Sequence, residues 1–576
     1  MIQRFTSLRI LWISLLATLL GVVMAGVAQF LLWLIERITA IAFFGNLHGV
    51  AGSPIGHSLG AWVIFVPVVG GLIIGFMARF GSPAIRGHGI PEAMEQVLEH
   101  ASRIPARMTW LKPLSAAISI GTGGPFGAEG PIIATGGAGG SLIGQILPSS
   151  ASERKTLLAA GAAAGMAATF GSPLSAILLA IELLLFEFKF RSLIPVALAS
   201  TMATVVRTAW IGSNPIFPMS PLSPPTISAF LGLMCIAAWM GVAALGLSKA
   251  TYLIEDAFEK LPVHWMWWPA IGAVGVGIIG YFEPRTLGVG YGNITANLAG
   301  TASAAAVFAL CILKFLSWSI ALGSGTSGGT LAPLMTIGSA LGWLFGLLFL
   351  PLFPSLDPHL AALVGMAAVF GGASQAMLAS AVFAFETTGQ SAALVPLLAA
   401  CAVSVCVVRI LSKTSIMTER IARRGISVPS QFSADIFEHT KVEGVMDRDV
   451  ASVSANLPLT ELAEKISAHH PDLGGHQAHP VINSHGDLVG MITRGDVLRA
   501  IPTAPPQSKV GDFATTSLIV TTPDESLHIA IQKMLKHDIG RLPVVAKEHP
   551  SHLVGYLSRR AILSARWKTI KEELPE

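Results

Sequence analysis

Residues Gly121–Pro131 read GTGGPFGAEGP, five glycines and two prolines set around one carboxylate, Glu129. The uncharged run IIATGGAGGSLIGQIL follows at once. A glycine-rich turn that opens onto a helix leaves backbone N–H groups unpaired at the positive end of the helix dipole. Such a start is an anion site that needs no Lys or Arg. Glu129 stands at its mouth, so the chain carries its own anion there. A free anion and this carboxylate are expected to compete for the same amides.

The surroundings are those of a membrane. Of 576 residues, 52% are hydrophobic and only 12% charged, about half the charged share of a soluble domain. Mean hydropathy is +0.65. Residues 426–576 hold 33 of the 70 charges, leaving 37 for the first 425. A membrane body (1–425) and a soluble C-terminal portion (426–576) follow. The net charge of +4 is too small to argue for nucleic acid as a partner. The four cysteines (Cys235, Cys311, Cys401, Cys406) lie in apolar runs without metal spacing, so neither a disulfide framework nor a metal site is expected.

Apolar segments recur near 8–38, 61–80, 109–120, 131–147, 155–186 and 192–212. After a Pro-rich link (Asn214 to Pro225) they resume near 227–251, 266–281, 302–322, 332–352, 359–385 and 391–412. The run from Leu8 to Leu34 is too long for a signal peptide and reads as a retained first span. Arg4 and Arg9 before it place the N-terminus in the cytoplasm by the positive-inside rule. Several other segments are interrupted by Gly or Pro or fall short of a full crossing. Helices that stop inside a bilayer are tolerated where their ends line a cavity or a substrate site.

The body repeats itself. GMAATFG at Gly165–Gly171 returns as GMAAVFG at Gly365–Gly371, and GPIIATGGAGGSLIGQ from Gly130 pairs with APLMTIGSALGWLFGL from Ala332. Two halves, about 1–212 and 226–425, descend from one unit, which points to a transport pathway at their interface. Three glycine-rich stretches stand out: GHGIP (Gly87–Pro91), GAEGP (Gly127–Pro131) and GSGTSGGTLAP (Gly323–Pro333). None holds a full positive charge, as conduction requires, because partial charges on amides let an anion leave again. Gly325-Thr326-Ser327-Gly328 also matches the GxSG pattern of an intramembrane serine protease. The next histidines are His359 and His439, neither well placed as a general base, and the enzyme reading is set aside.

GAEGP, GHGIP, GGTLAP and the GMAA repeats together resemble the CLC family of chloride channels and proton-coupled chloride exchangers, over about residues 5–425. The resemblance implies an all-α polytopic fold of two inverted repeats with broken helices, and a homodimer in which each subunit holds its own pore. It further implies that Glu129 gates the path and that the backbone at Gly127, at Gly87, His88 and Gly89, and at Gly329, Thr330, Leu331 and Ala332 lines a central anion site. Ionised Glu129 would block the amides and protonated Glu129 would swing out, so gating should follow pH and anion concentration.

Four positions depart from the family pattern. His88 stands where a serine ligand is usual, Ala128 where an arginine is common, and Met417 where a tyrosine hydroxyl commonly faces the anion. Leu183 replaces the inward-facing glutamate that hands protons in from the cytoplasm, leaving Glu182 or Glu187 as a candidate for the proton path, with a helix-end structural carboxylate, like Glu386 in the other half, as the other reading of Glu182. Because leucine carries no proton, the expectation is a glutamate-gated, voltage- and pH-sensitive chloride channel of the cell membrane. A proton-coupled chloride antiporter is the alternative.

Arg420, Arg423 and Arg424 close the body on its cytoplasmic side. Beyond lie two similar units, 442–501 and 510–567, joined by PTAPPQS, which resemble a pair of cystathionine-β-synthase (CBS) domains. That resemblance implies an adenosine nucleotide held by Thr493 and Asp496. The second unit reads Ser558-Arg559-Arg560-Ala561 and lacks the aspartate, so one nucleotide site at most is expected. A purely structural tail is the other reading. The cluster His469, His470, His476 and His479 matches no metal spacing and reads as a solvated loop.

Overall fold

A computed structural model describes residues 2–426, 428, 437, 440–468, 473 and 477–573. Three of the clustered histidines (His469, His470, His476) lie outside these. Two units separate, Met1–Val428 and Pro429–Glu576.

In the first unit long apolar runs make helices because their backbone groups have no other partner in a bilayer. In the first half these are α1 (Ile2–Phe44), α2 (Phe65–Phe76), α3 (Ile90–Glu99), α4 (Met108–Gly121), α5 (Glu129–Ile146), α6 (Ala151–Phe170), α7 (Pro173–Ala180) and α8 (Phe190–Ile211). The second half repeats them as α9 (Ile227–Glu259), α10 (Trp268–Phe282), α11 (Tyr291–Ala299), α12 (Ala304–Gly323), α13 (Leu331–Phe349), α14 (Pro358–Ser374), α15 (Met377–Thr388) and α16 (Leu394–Leu411), with a short α17 (Glu419–Arg423) after them. Among the described residues, eight helices are long and apolar enough to cross a membrane.

The expected segments 155–186 and 359–385 are each split in two. Gly171 (φ 64°) and Gln375 (φ 60°) end α6 and α14 in the left-handed conformation, which stops a helix by turning its next amide aside. Hydropathy passes over such a one-residue change of hand. It also passes over α3 and α11, which carry polar faces.

Reciprocal contacts relate the halves. Glu182 accepts hydrogen bonds from the amides of Leu378 (3.0 Å) and Ala379 (2.9 Å) at the start of α15. Glu386 accepts them from Leu174 (3.0 Å) and Ser175 (2.8 Å) at the start of α7. Contacts in which i meets j while the mate of j meets the mate of i are the signature of a two-fold axis, here between inverted repeats within one chain. The same rule governs packing. A Cβ at Gly136 would strike the carbonyl oxygen of Gly161 and one at Gly161 that of Gly136, and Gly338 and Gly365 repeat the arrangement. Small residues let α5 cross α6, and α13 cross α14, backbone against backbone.

The second unit holds two α/β modules. In the first, β1 (Val453–Ser454) runs parallel to β2 (Ala478–Ile482), which pairs antiparallel with β3 (Leu488–Thr493); α18 (Leu459–Ser467) and α19 (Arg494–Ala500) complete it. The second comprises α20 (Val510–Phe513), α21 (Leu527–Lys536), the antiparallel pair β4 (Arg541–Val545) and β5 (Leu553–Ser558), and α22 (Arg559–Glu573). The leading strand of the first module is only two residues long. In the second it is a single bridge, Thr521 to Val544.

Gly161→Val should overpack the α5–α6 crossing by about 1–3 kcal/mol and lower the thermal unfolding temperature in detergent. Gly246→Val in α9, where a Cβ would meet nothing within 4 Å, should leave it nearly unchanged.

Candidate functional site

Glu129 opens α5 and is wholly buried. The starts of α3, α5 and α13 meet around it. Gly89, capping α3, lies against Gly130, where an added Cβ would stand 2.6 Å from its carbonyl oxygen. A Cβ at Gly329, just before α13, would come within 2.9 Å of the Gly130 amide and 3.2 Å of Glu129 Oε2. Glu129 is the first residue of α5, and Gly329 stands two residues ahead of α13. Two helix dipoles therefore present their positive ends to one negative group.

Several backbone groups of the expected site are bonded to one another or to neighbours. Gly127 and Gly329 offer no free amides, because Gly127 N donates to Gly329 O (3.2 Å) and Gly329 N to Gly127 O (3.0 Å). Their contribution is close approach, a two-bond bridge that brings both helix starts together. Gly87 is likewise spent: its amide donates to Thr326 O (3.3 Å), and its carbonyl accepts from the Gly328 amide (3.4 Å). The Gly89 amide donates to Glu92 Oε2 (2.7 Å). Glu129 Oε2, His88 Nδ1 and Thr330 Oγ1 are buried without a hydrogen-bond partner, and all three lie at or just before these helix starts. Buried polar atoms are nearly always paired, so three orphans at one place mark where a small polar guest belongs.

Three residues outside the glycine motifs support the site. Tyr291, first residue of α11, donates from Oη to Glu129 Oε1 at 3.0 Å. Its ring stands edge-on to Phe170 and Phe217, centroids 5.9 Å away in each case, which fixes the hydroxyl's direction. Lys112 in α4 is buried and donates to the carbonyls of Ile85 (2.8 Å) and Gly87 (2.9 Å). Lys314 in α12 is buried and donates to those of Thr286 (2.9 Å) and Gly288 (3.1 Å). The two lysines are repeat mates. Each ties down the loop ahead of a GxG turn, GHG before α3 and GVG before α11, without entering the site. Sequence alone does not single out these three, although the signal is present in the repeat, where Gly87–Ile90 aligns with Gly288–Tyr291.

The Glu182 carboxylate is engaged in capping α15, and Leu183 beside it is buried. Met417 is buried in the turn before α17, its amide donating to Ser415 Oγ at 3.2 Å. A tyrosine does reach that turn, but from α9: Tyr252 Oη donates to the Ile416 carbonyl at 2.8 Å. Ser327 shares a hydrogen bond with Ser115 (3.0 Å).

In the tail, Asp496 Oδ2 accepts from the Thr493 amide (2.9 Å) and hydroxyl (2.6 Å), and Oδ1 accepts from Arg499 (2.5 Å). Burial works against the charge on Asp496, but these bonds outweigh it and hold the carboxyl below its usual value. The pair is spent on capping α19. It does not fit a ribose as it stands, since the sugar would first have to displace Arg499.

A buried carboxylate held by converging helix starts inside a two-fold bundle defines a membrane transport protein for small anions. Similarity to known proteins agrees. The family described as Voltage gated chloride channel matches residues 70–409, and CBS domain matches 442–503 and 510–568. The chain belongs to the CLC family of voltage gated chloride channels, whose work is chloride transport, and carries two CBS domains. It is 28% identical over 359 residues to the H(+)/Cl(-) exchange transporter ClcA of Vibrio vulnificus, covering 60% of this chain and 76% of that one. It is 25% identical over 600 residues to the chloride channel protein CLC-f of Arabidopsis thaliana, covering 89% and 74%. Its fold matches that of a slow cyanobacterial Cl-/H+ antiporter (TM-score 0.62, 22% identity, 73% of this chain and 97% of that one). It matches a eukaryotic CLC transporter equally well (TM-score 0.62, 20% identity, 97% and 98%).

Removing the Tyr291 hydroxyl should loosen the Glu129 carboxylate, since a hydrogen bond to a charged group contributes about 1.5–3 kcal/mol. Tyr291→Phe is therefore expected to speed chloride efflux from proteoliposomes at low chloride by roughly 10- to 100-fold; an unchanged rate would remove the latch. Calorimetric titration of an adenosine nucleotide into the full-length protein should give no heat of binding, whereas a single site that Asp496→Ala removes would show that the sugar displaces Arg499.

Proposed function

We propose that the protein exchanges chloride for protons across the cell membrane, with Glu129 serving in turn as gate and proton carrier. The observation that supports this most is the wholly buried Glu129 carboxylate, one oxygen bonded to Tyr291 and the other unpartnered at the start of α13. A buried charge without full pairing is costly, so the carboxylate is poised to give way. Chloride relieves it by taking over the helix starts. A proton relieves it by cancelling the charge that the dipoles hold. Either event frees the side chain, and one group that yields to both ions links their movements.

This reading prefers the alternative over the channel expected from Leu183. Its support is the naming of relatives as exchange transporters and of a structural neighbour as an antiporter. The protein is further read as a homodimer in lipid, each chain with its own route, its N-terminus and CBS tail in the cytoplasm. The basic Arg420, Arg423 and Arg424 support that orientation. The tail is read as regulatory.

The test is proteoliposomes with a chloride gradient and a pH electrode outside. Chloride moving down its gradient should drive protons the opposite way, and Glu129→Ala should pass chloride with no proton movement and no pH dependence. Wild-type protein that moves chloride alone would establish passive conduction instead.

A further inference from the structure

On the exchange reading protons pass between Glu129 and the inner surface; position 183 supplies no carrier, Glu182 is held as a helix cap, and Glu187 is bonded to Lys189 (2.9 Å) and Ser192 (2.7 Å). We propose that His88 is the carrier, relaying protons between Glu129 and Glu92; the inference rests on the exchange reading above. The backbone sets the order. Gly89, on one side of His88, packs against Gly130 next to the gate. Gly87, on the other, lies beside the Glu92 carboxylate and Arg420, where an added Cβ would meet Arg420 Nη1 at 2.9 Å. Glu92 continues outward, its side chain 24% exposed and its Oε1 3.3 Å from Arg420.

His88 itself is 5% exposed and its Nδ1 has no partner. A histidine kept for structure is normally bonded, as His359 is through Nδ1 to the Leu298 carbonyl at 2.9 Å. The charged groups facing His88 are Glu92 on α3, Lys112 on α4 and Arg420 on α17, with Glu129 beyond Gly130 on α5. Lys112 is tied to two carbonyls, and Arg420 bridges Glu92 and Glu255. Beside Glu92, Lys112 and Arg420, whose charged groups are all engaged, His88 keeps a buried ring nitrogen with no hydrogen-bond partner. An imidazole takes a proton on one ring nitrogen and gives one up from the other. Protonated Glu129 returns to carboxylate as its proton passes to the imidazole lone pair; the imidazolium then yields a proton to Glu92, and Glu92 to water.

The experiment uses the full-length chain in proteoliposomes and reads protons moved per chloride, together with the dependence of that ratio on inner pH. Loss of a positioned acid–base group costs on the order of 100-fold. His88→Ser should therefore cut the proton share about that much and abolish its inner-pH dependence, while chloride still passes at whatever new rate the site allows. Glu92→Gln, which keeps an acceptor for the Gly89 amide, should slow proton movement while chloride still passes. It serves as the deciding variant if His88→Ser moves no chloride. Wild-type protein that pumps protons alongside variants with an unchanged ratio overturns the relay and leaves exchange standing. Wild-type protein that moves no protons overturns both.

Discussion

A negative charge without full pairing in the middle of an apolar bundle is the constraint that the membrane unit is built around. Backbone dipoles meet it, and dipoles reach the interior only if helices begin there. Hence α3, α5, α11 and α13 all start near Glu129. Starting a helix inside a bilayer leaves loop backbone to be satisfied, and the chain does this locally. Gly127 and Gly329 bond each other, and Lys112 and Lys314 reach in to hold the carbonyls ahead of each GxG turn. The lysines show how a full charge is used next to an anion path: it is spent on carbonyl oxygens, so the path itself sees partial charges.

The two halves share a scaffold and divide the chemistry. The glycine crossings, the lysines and the helix caps Glu182 and Glu386 all occur twice. The reactive groups occur once. By the repeat, Glu129 answers to Leu331, His88 to Val289 and Tyr291 to Ile90. The first half supplies the carboxylate and the imidazole; the second supplies the phenol that holds the carboxylate still. Divergence at three matched positions turned a symmetric cradle into a directional site.

Much of this is legible in residues alone. The membrane body, the repeat and the weight placed on Glu129 follow from composition, spacing and GAEGP, and the two CBS modules from resemblance to that family. The breaks at Gly171 and Gln375 do not show, because a left-handed residue leaves hydropathy intact. The lysines are hidden from a search for anion sites confined to the glycine motifs, although their 202-residue spacing matches the repeat. Tyr291 is hidden because its GVG turn lacks the proline that makes GHGIP conspicuous. The bridge between Gly127 and Gly329 needs coordinates: a motif tells where backbone is exposed but not what it bonds.

The exchanged caps set a schedule for assembly. The α7 amides wait for Glu386, 212 residues further along the chain. At ribosomal speeds of about 5–20 residues per second, that interval is roughly 10–40 s. For that time the first half sits in the bilayer with a helix end open and nothing on its own side to close it. Closure of that helix end therefore waits on synthesis of the second half as far as Glu386.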